Sequence, residues 1–164
     1  MRILPAADSW DPTQLAPDVD IDAARTPNPA GELAPGRRFG QTFVCGKDGL
    51  ARLEVLTATY RKAIPAGTLE VHLRAGVNQA TDIACVSIPS ERISDNSYVT
   101  LDFGPLSTSA GKTYYFYLEA HDVPSGYALT VWRSNSDIYS GGSFYVDGHP
   151  SPHAIAFRTY CLRR

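Results

Sequence analysis

This chain has little of what many binding and catalytic domains depend on. Its charges nearly cancel, with 15 Lys and Arg against 17 Asp and Glu, giving a net charge of −2 and a sequence pI near 6.0. Without a positive field there is no long-range attraction to phosphate backbones or anionic lipid, so nucleic acid is not an expected partner. No apolar run approaches the roughly 18–20 residues of a membrane-crossing helix, and no membrane insertion is expected. The segment Met1–Ala7 is too short to be the apolar region of a signal peptide. The expectation is therefore a chain with no export signal of its own, cytoplasmic or envelope-associated according to the full-length protein.

Cysteine is also sparse. Cys45, Cys85 and Cys161 form an odd set with no Cys-x-x-Cys pair, so neither a disulfide framework nor a thiolate zinc site is signalled, and reduced, partly buried thiols are the simplest reading. A bridge between Cys45 and Cys161 would require the first well-marked strand and the last to be neighbours. Long amphipathic helices and fixed-period repeats are absent, and with them the α/β cofactor folds. Gly111-Lys112-Thr113 resembles the end of a phosphate-binding loop. However, position 106 is Leu where the first glycine belongs, and the segment runs into a strand pattern rather than a helix.

Metal and catalytic motifs are equally thin. Asp18, Asp20 and Asp22 alternate as calcium ligands can, yet Ala23 stands where an EF-hand needs its turn glycine, and the bidentate Glu is missing. At most a structural calcium ion of non-EF type is left open there, and no other cofactor is implied. Of His72, His121, His149 and His153, only the last two lie close in sequence, within a proline-stiffened loop that suggests no third metal ligand. Glycoside hydrolysis needs two carboxyls flanking a cleft, and candidates such as Asp102 and Glu119 read simply as outward-facing strand positions. No Gly-x-Ser-x-Gly elbow occurs. The chain is read as a non-enzyme.

What is present is a β pattern. Six of the twelve prolines fall within the first 36 residues, so residues 1–30 read as a Pro-rich arm or linker ahead of a domain spanning 31–164. Alternating runs then recur near 38–45, 50–60, 67–75, 82–88, 97–103, 113–121, 126–134, 142–147 and 154–161, separated by Gly, Pro, Asn and Asp. About nine strands at this spacing predict an all-β antiparallel sandwich in jelly-roll order. Leu69, Val71 and Leu73 alternate with Glu70, His72 and Arg74, and Val99, Leu101 and Phe103 alternate with Tyr98, Thr100 and Asp102. Each such strand has one core face and one wet face. The run from Arg52 to Tyr60 carries apolar residues on both parities, the pattern of a central strand covered on both sides.

The runs around Tyr115 and Trp132 are joined by the short turn Asp122–Ser125, which suggests a hairpin pairing Phe116 with Val131 and Leu118 with Leu129. Period-2 geometry would then put Tyr115, Tyr117, Thr130 and Trp132 together on the opposite face as an aromatic shelf. Such a shelf suits the flat C–H faces of a sugar ring. The other placement for the same rings is beneath another strand layer or the N-terminal segment. The loop that follows, with Arg133, Asn135, Asp137 and Tyr139, offers donors and acceptors for a hydroxyl-rich ligand, or a capped turn bonded to its own backbone. The candidate ligand-binding set is Trp132, Tyr115, Tyr117, Arg133, Asp137 and Tyr139.

An ordered set of phrases adds a family resemblance: Gly31–Gly36, Gly40-Gln41-Thr42-Phe43, Asp48–Val55, Gly111–Phe116 and Ala156–Tyr160. Together they resemble an accessory, carbohydrate-binding-module-like β-sandwich found beside bacterial glycosyltransferases and cell-surface polysaccharide proteins. The resemblance implies a non-catalytic module that binds or positions a glycan or polysaccharide. The alternative reading is a structural, protein-interaction domain attached to a glycosyltransferase as its companion catalytic domain, with no glycan binding of its own.

Overall fold

The computed structural model describes residues 17–22, 28–134 and 139–162, the first six and Asn28 by backbone alone. Two antiparallel sheets pack face to face. The strands are β1 (Pro17–Asp22), β2 (Asn28–Pro29), β3 (Phe39–Val44), β4 (Leu50–Ala58), β5 (Thr68–Arg74), β6 (Asp82–Pro89), β7 (Ser97–Leu106), β8 (Thr113–His121), β9 (Thr130–Arg133), β10 (Phe144–Val146), β11 (His149–Ser151) and β12 (Phe157–Leu162). Each stretch marked by alternation in the sequence overlaps one of them, with β6, β7 and β12 running one to three residues past its end. Beyond those stretches, β1 and β2 come from the Pro-rich arm, and β11 holds His149-Pro150-Ser151, which pairs with β10 instead of looping.

In the first sheet β4 is central: β7 lies along one edge, while β12 and β9 share the other edge end to end. Outside them, β1 pairs with β12 and β2 with β9. The second sheet runs β11-β10-β3-β8-β5-β6. From β3 onward the chain changes layer at each step except within the β5–β6 and β10–β11 pairs, and the faces rich in Phe and Leu from both sheets meet in one core. Phe43, Phe116 and Phe157 sit at its centre, with ring centroids 5.3 to 6.2 Å apart, and none of the three is accessible to solvent. Gln41, also fully buried, accepts a hydrogen bond from Ile155 N at 3.1 Å and so ties β3 to the segment entering β12.

Two expectations need correction. The hairpin between β8 and β9 does not form: β8 lies between β3 and β5, whereas β9 pairs with β4 and β2 in the opposite sheet. The stretch 122–129 is long enough to cross the roughly 10 Å between packed sheets. Crossing buries Phe116 and Leu118 against Leu129 and Val131 from opposite sides, where a hairpin would need a further layer. The outward row of β4, Arg52, Glu54 and Leu56, is half-buried and not covered, and Tyr60 lies beyond the strand, exposed, at φ 53°. As for the thiols, Cys45 lies just past the end of β3 and Cys161 on β12 of the other sheet; both are buried, they form no disulfide, and each donates to Lys47 O, at 3.1 and 3.7 Å.

Truncating Phe157 should remove the ring shared by both layers. Phe157→Ala is expected to lower the unfolding free energy by about 3–5 kcal/mol, measured as a shift of the urea midpoint at constant slope. A loss below about 1 kcal/mol would mean that this ring does not join the two sheets.

Candidate functional site

The outer face of the second sheet is built from side chains that point away from the core. The register sets their order: Glu70 faces Glu119, His72 faces Tyr117, and Arg74 faces Tyr115 across β5 and β8. On the far side of β8, Gly40 faces Tyr117, and Tyr145 of β10 lies opposite Gly40. On the near side, Cys85 of β6 faces His72. Glycine is required at position 40, since a Cβ there would come within 2.3 to 2.6 Å of the Tyr115 ring and hydroxyl. That absence of a side chain lets Tyr115 lie down across β3.

Tyr117 is the hub. His72 stacks on its ring at 4.5 Å and 10°, and the guanidiniums of Arg38 and Arg74 lie 4.4 and 4.8 Å from its centroid. Arg74 also donates to the phenol oxygen at 2.8 Å. The cations and the imidazole are in turn held by acids. Arg38 pairs with Glu119, Arg74 with Asp82 at 2.8 Å, and the two ring nitrogens of His72 face Asp82 at 2.8 Å and Glu70 at 3.0 Å. Beside this hub lies a cavity of about 280 Å³ lined by Gly36, Arg38, Val77, Tyr115, Asp147 and Gly148. Its rim is fixed by the β10–β11 turn, where Asp147 and Gly148 both adopt positive φ as a two-residue hairpin loop requires. Asp147 accepts from Arg38 N at 2.7 Å.

Burial and charge pull the titrations apart. Burial pushes the Tyr115 phenol up to about 12, against the opposing pull of Arg38 and Arg74, so the ring is a neutral donor at any physiological pH. The hydrogen bond from His72 holds Glu70 below the usual carboxylate range, against its burial and with help from His121. For Asp82 burial acts upward, but Arg74 and His72 together win, and the group is also held low.

The residues singled out in the sequence are not brought together. Tyr115 and Tyr117 lie on the outer face of the second sheet but are only 4% and 1% exposed, covered by the arginines, His72 and Tyr145. Trp132 points outward from the first sheet, half-buried, with Nε1 donating to Asn96 Oδ1 at 3.0 Å. The shared shelf therefore does not exist, because its two halves occupy opposite outer surfaces of the sandwich. Thr130 is buried and donates to Gly31 O. Arg133 is half-buried at the end of β9, its backbone paired with Asn28 and Ile155. Tyr139 packs edge-on against Phe157 at 5.4 Å and accepts from Val44 N, so its ring belongs to the rim of the core. Asp137 and the side chains of Asp18, Asp20 and Asp22 lie outside the described residues.

Sequence reasoning missed Arg38, Glu70, His72, Arg74, Asp82, His121 and Asp147 as members of one surface. The alternation of Glu70, His72 and Arg74 did mark an outward row. The register that aligns this row with β8 comes from strands separated in the chain by β6 and β7, and no local pattern encodes it.

The depressed acids make stability acid-sensitive. Their unfolded-state values are the ordinary 4.5 for Glu and 3.8 for Asp, so the stabilisation from Glu70 and Asp82 is fully present above those values. It is lost as pH falls through the lower folded-state values. Asp82→Asn is expected to be less stable than the parent near neutral pH, yet to lose less stability between about pH 6 and about pH 3 in urea titrations. Equal losses in the two proteins would mean that the Asp82 pairing does not contribute.

Comparison with protein-family models and with curated proteins returns no match for this chain.

Proposed function

We propose that this domain is a non-catalytic carbohydrate-binding or substrate-positioning module, a jelly-roll sandwich that takes its glycan on the outer face of the second sheet. The observation that carries the reading is the cavity beside Tyr115. At about 280 Å³ it is close to the lower end of the ~300–1,000 Å³ range of ligand pockets, a size for one sugar unit of a longer chain. Its lining includes one aromatic residue, Tyr115, one aliphatic, Val77, a guanidinium and a carboxylate. That combination matches a sugar, which has apolar C–H faces and a rim of hydroxyls that both donate and accept. This site replaces the Trp132 shelf as the platform. Arg38 and Asp147 take the polar roles expected of Arg133 and Asp137.

A second reading has its own support. Among the described residues, strand β6 is one of the two edge strands of the second sheet, and it exposes Ile83. An unpaired edge with an exposed apolar side chain suits a domain that docks on a companion protein by strand addition.

The test is binding to a glycan array followed by calorimetry on the best hit. The parent is expected to bind weakly, with Val77→Trp abolishing binding by filling the cavity and Trp132→Ala leaving it unchanged. Asp147→Asn should weaken it about tenfold, since a hydrogen bond to a charged group contributes ~1.5–3 kcal/mol. Absence of any glycan ligand together with a protein partner displaced by Ile83→Lys would favour the docking reading. Loss of binding in folded Trp132→Ala but not in Val77→Trp would return the site to the first sheet.

A further inference from the structure

We propose that Glu70, Glu119 and His121 form a binding site for a divalent transition-metal cation of the zinc type. The three residues project from the same outer face: Glu119 and His121 are two apart on β8, and Glu70 lies directly opposite Glu119 on β5. The end of the site is pinned by Gly67, at φ 95°, where a Cβ would come within 2.8 Å of the carbonyl oxygens of His121 and Asp122. Backbone contact at that point holds His121 at the end of β8, where its ring lies against the two acids.

The distances admit a metal as well as the ion pairs that these groups form without one. His121 Nε2 is 3.3 Å from Glu70 Oε1 and 3.4 Å from Glu119 Oε2. Both are longer than the ~2.7–3.2 Å usual for an N–H···O hydrogen bond. Around a tetrahedral ion with bonds of ~2.0–2.2 Å, neighbouring ligand atoms lie about 3.3–3.5 Å apart, which is the separation seen. All three ligand atoms fall within 4.8 Å of one another. Charge argues the same way, because two carboxylates directly opposite across a strand pair repel. A divalent cation between them would balance both. Two of the acids' other partners are in place as well: Arg38 holds Glu119 by its other oxygen, and His72 reaches Glu70 at Oε1, the oxygen that also faces His121. Such contacts orient ligating carboxylates before a metal arrives.

One imidazole and two carboxylates suit zinc or its neighbours in the first transition row better than calcium, which prefers oxygen alone. Three protein ligands leave a fourth position, and with His121 44% exposed that position opens to solvent. The adjacent trio of His72, Asp82 and Cys85 fits less well. There His72 and Arg74 already reach Asp82 at ordinary hydrogen-bond distances of 2.8 Å, and burial pushes the Cys85 thiol up, away from the thiolate that a metal needs.

The experiment is calorimetric titration of the chelator-treated full chain with Zn²⁺ and no sugar present, so its result is independent of glycan binding. One ion per chain with micromolar affinity is expected, together with a rise in melting temperature. His121→Ala and Glu119→Gln should each weaken binding by about tenfold or more, while Cys85→Ser and His149→Ala leave it unchanged. Since His121 is half exposed, its truncation should spare the fold, and circular dichroism of the metal-free variant checks this. If Glu119→Gln fails to fold, the loss of the zinc-induced thermal shift in His121→Ala decides. No zinc binding by the parent, full binding retained in His121→Ala, or binding lost in Cys85→Ser would each overturn the proposal.

Discussion

The outer surface of the second sheet depends on one buried phenol. Tyr117 points away from the core, yet it is as inaccessible as any core residue because a histidine and two arginines close over it. Cations near an aromatic face are attracted by its quadrupole, the more so when desolvated. Both guanidiniums are therefore drawn inward over the strand, and each brings a carboxylate with it, Glu119 for Arg38 and Asp82 for Arg74. His72 completes the set by joining Asp82 to Glu70. A polar face whose side chains would otherwise be mobile in water becomes a fixed lattice.

Strand β8 accordingly has two buried faces with different chemistry. Inward, Tyr114, Phe116, Leu118 and Ala120 join the hydrophobic core. Outward, Tyr115 and Tyr117 are covered by charged groups whose aliphatic stems pack on the rings while their heads stay in reach of water and partners. The two residues without bulky side chains that permit this are Gly40, which leaves room for the Tyr115 ring, and Gly67, which allows β5 to start hard against the end of β8. Cavity and cation cluster lie on opposite sides of the Tyr117 hub, with Arg38 reaching both. A change at that arginine would be felt in each.

Much of the fold was legible because period-2 alternation is a local property. Leu69, Val71 and Leu73 are buried as their spacing requires, and so are Val99, Leu101 and Phe103. The same reasoning correctly turned Trp132 outward and Val131 inward. It failed at the partner of β8. Sequential strands with a short connection often pair, but here pairing would have left two apolar faces on the same side of one sheet. Placing β9 in the other layer lets each cover the other. The candidate site failed with that step, since Tyr115 and Trp132 were joined only through the hairpin.

The sequence alone determined the class of fold and the inward or outward direction of most strand residues. These follow from side-chain period, which needs no knowledge of distant residues. Tertiary structure alone decided which outward rows lie side by side: Glu70 against Glu119, His72 against Tyr117, Arg74 against Tyr115. Register between strands far apart in the chain is set by how two hydrophobic layers fill the space between them, and that is a property of the whole core and not of any segment.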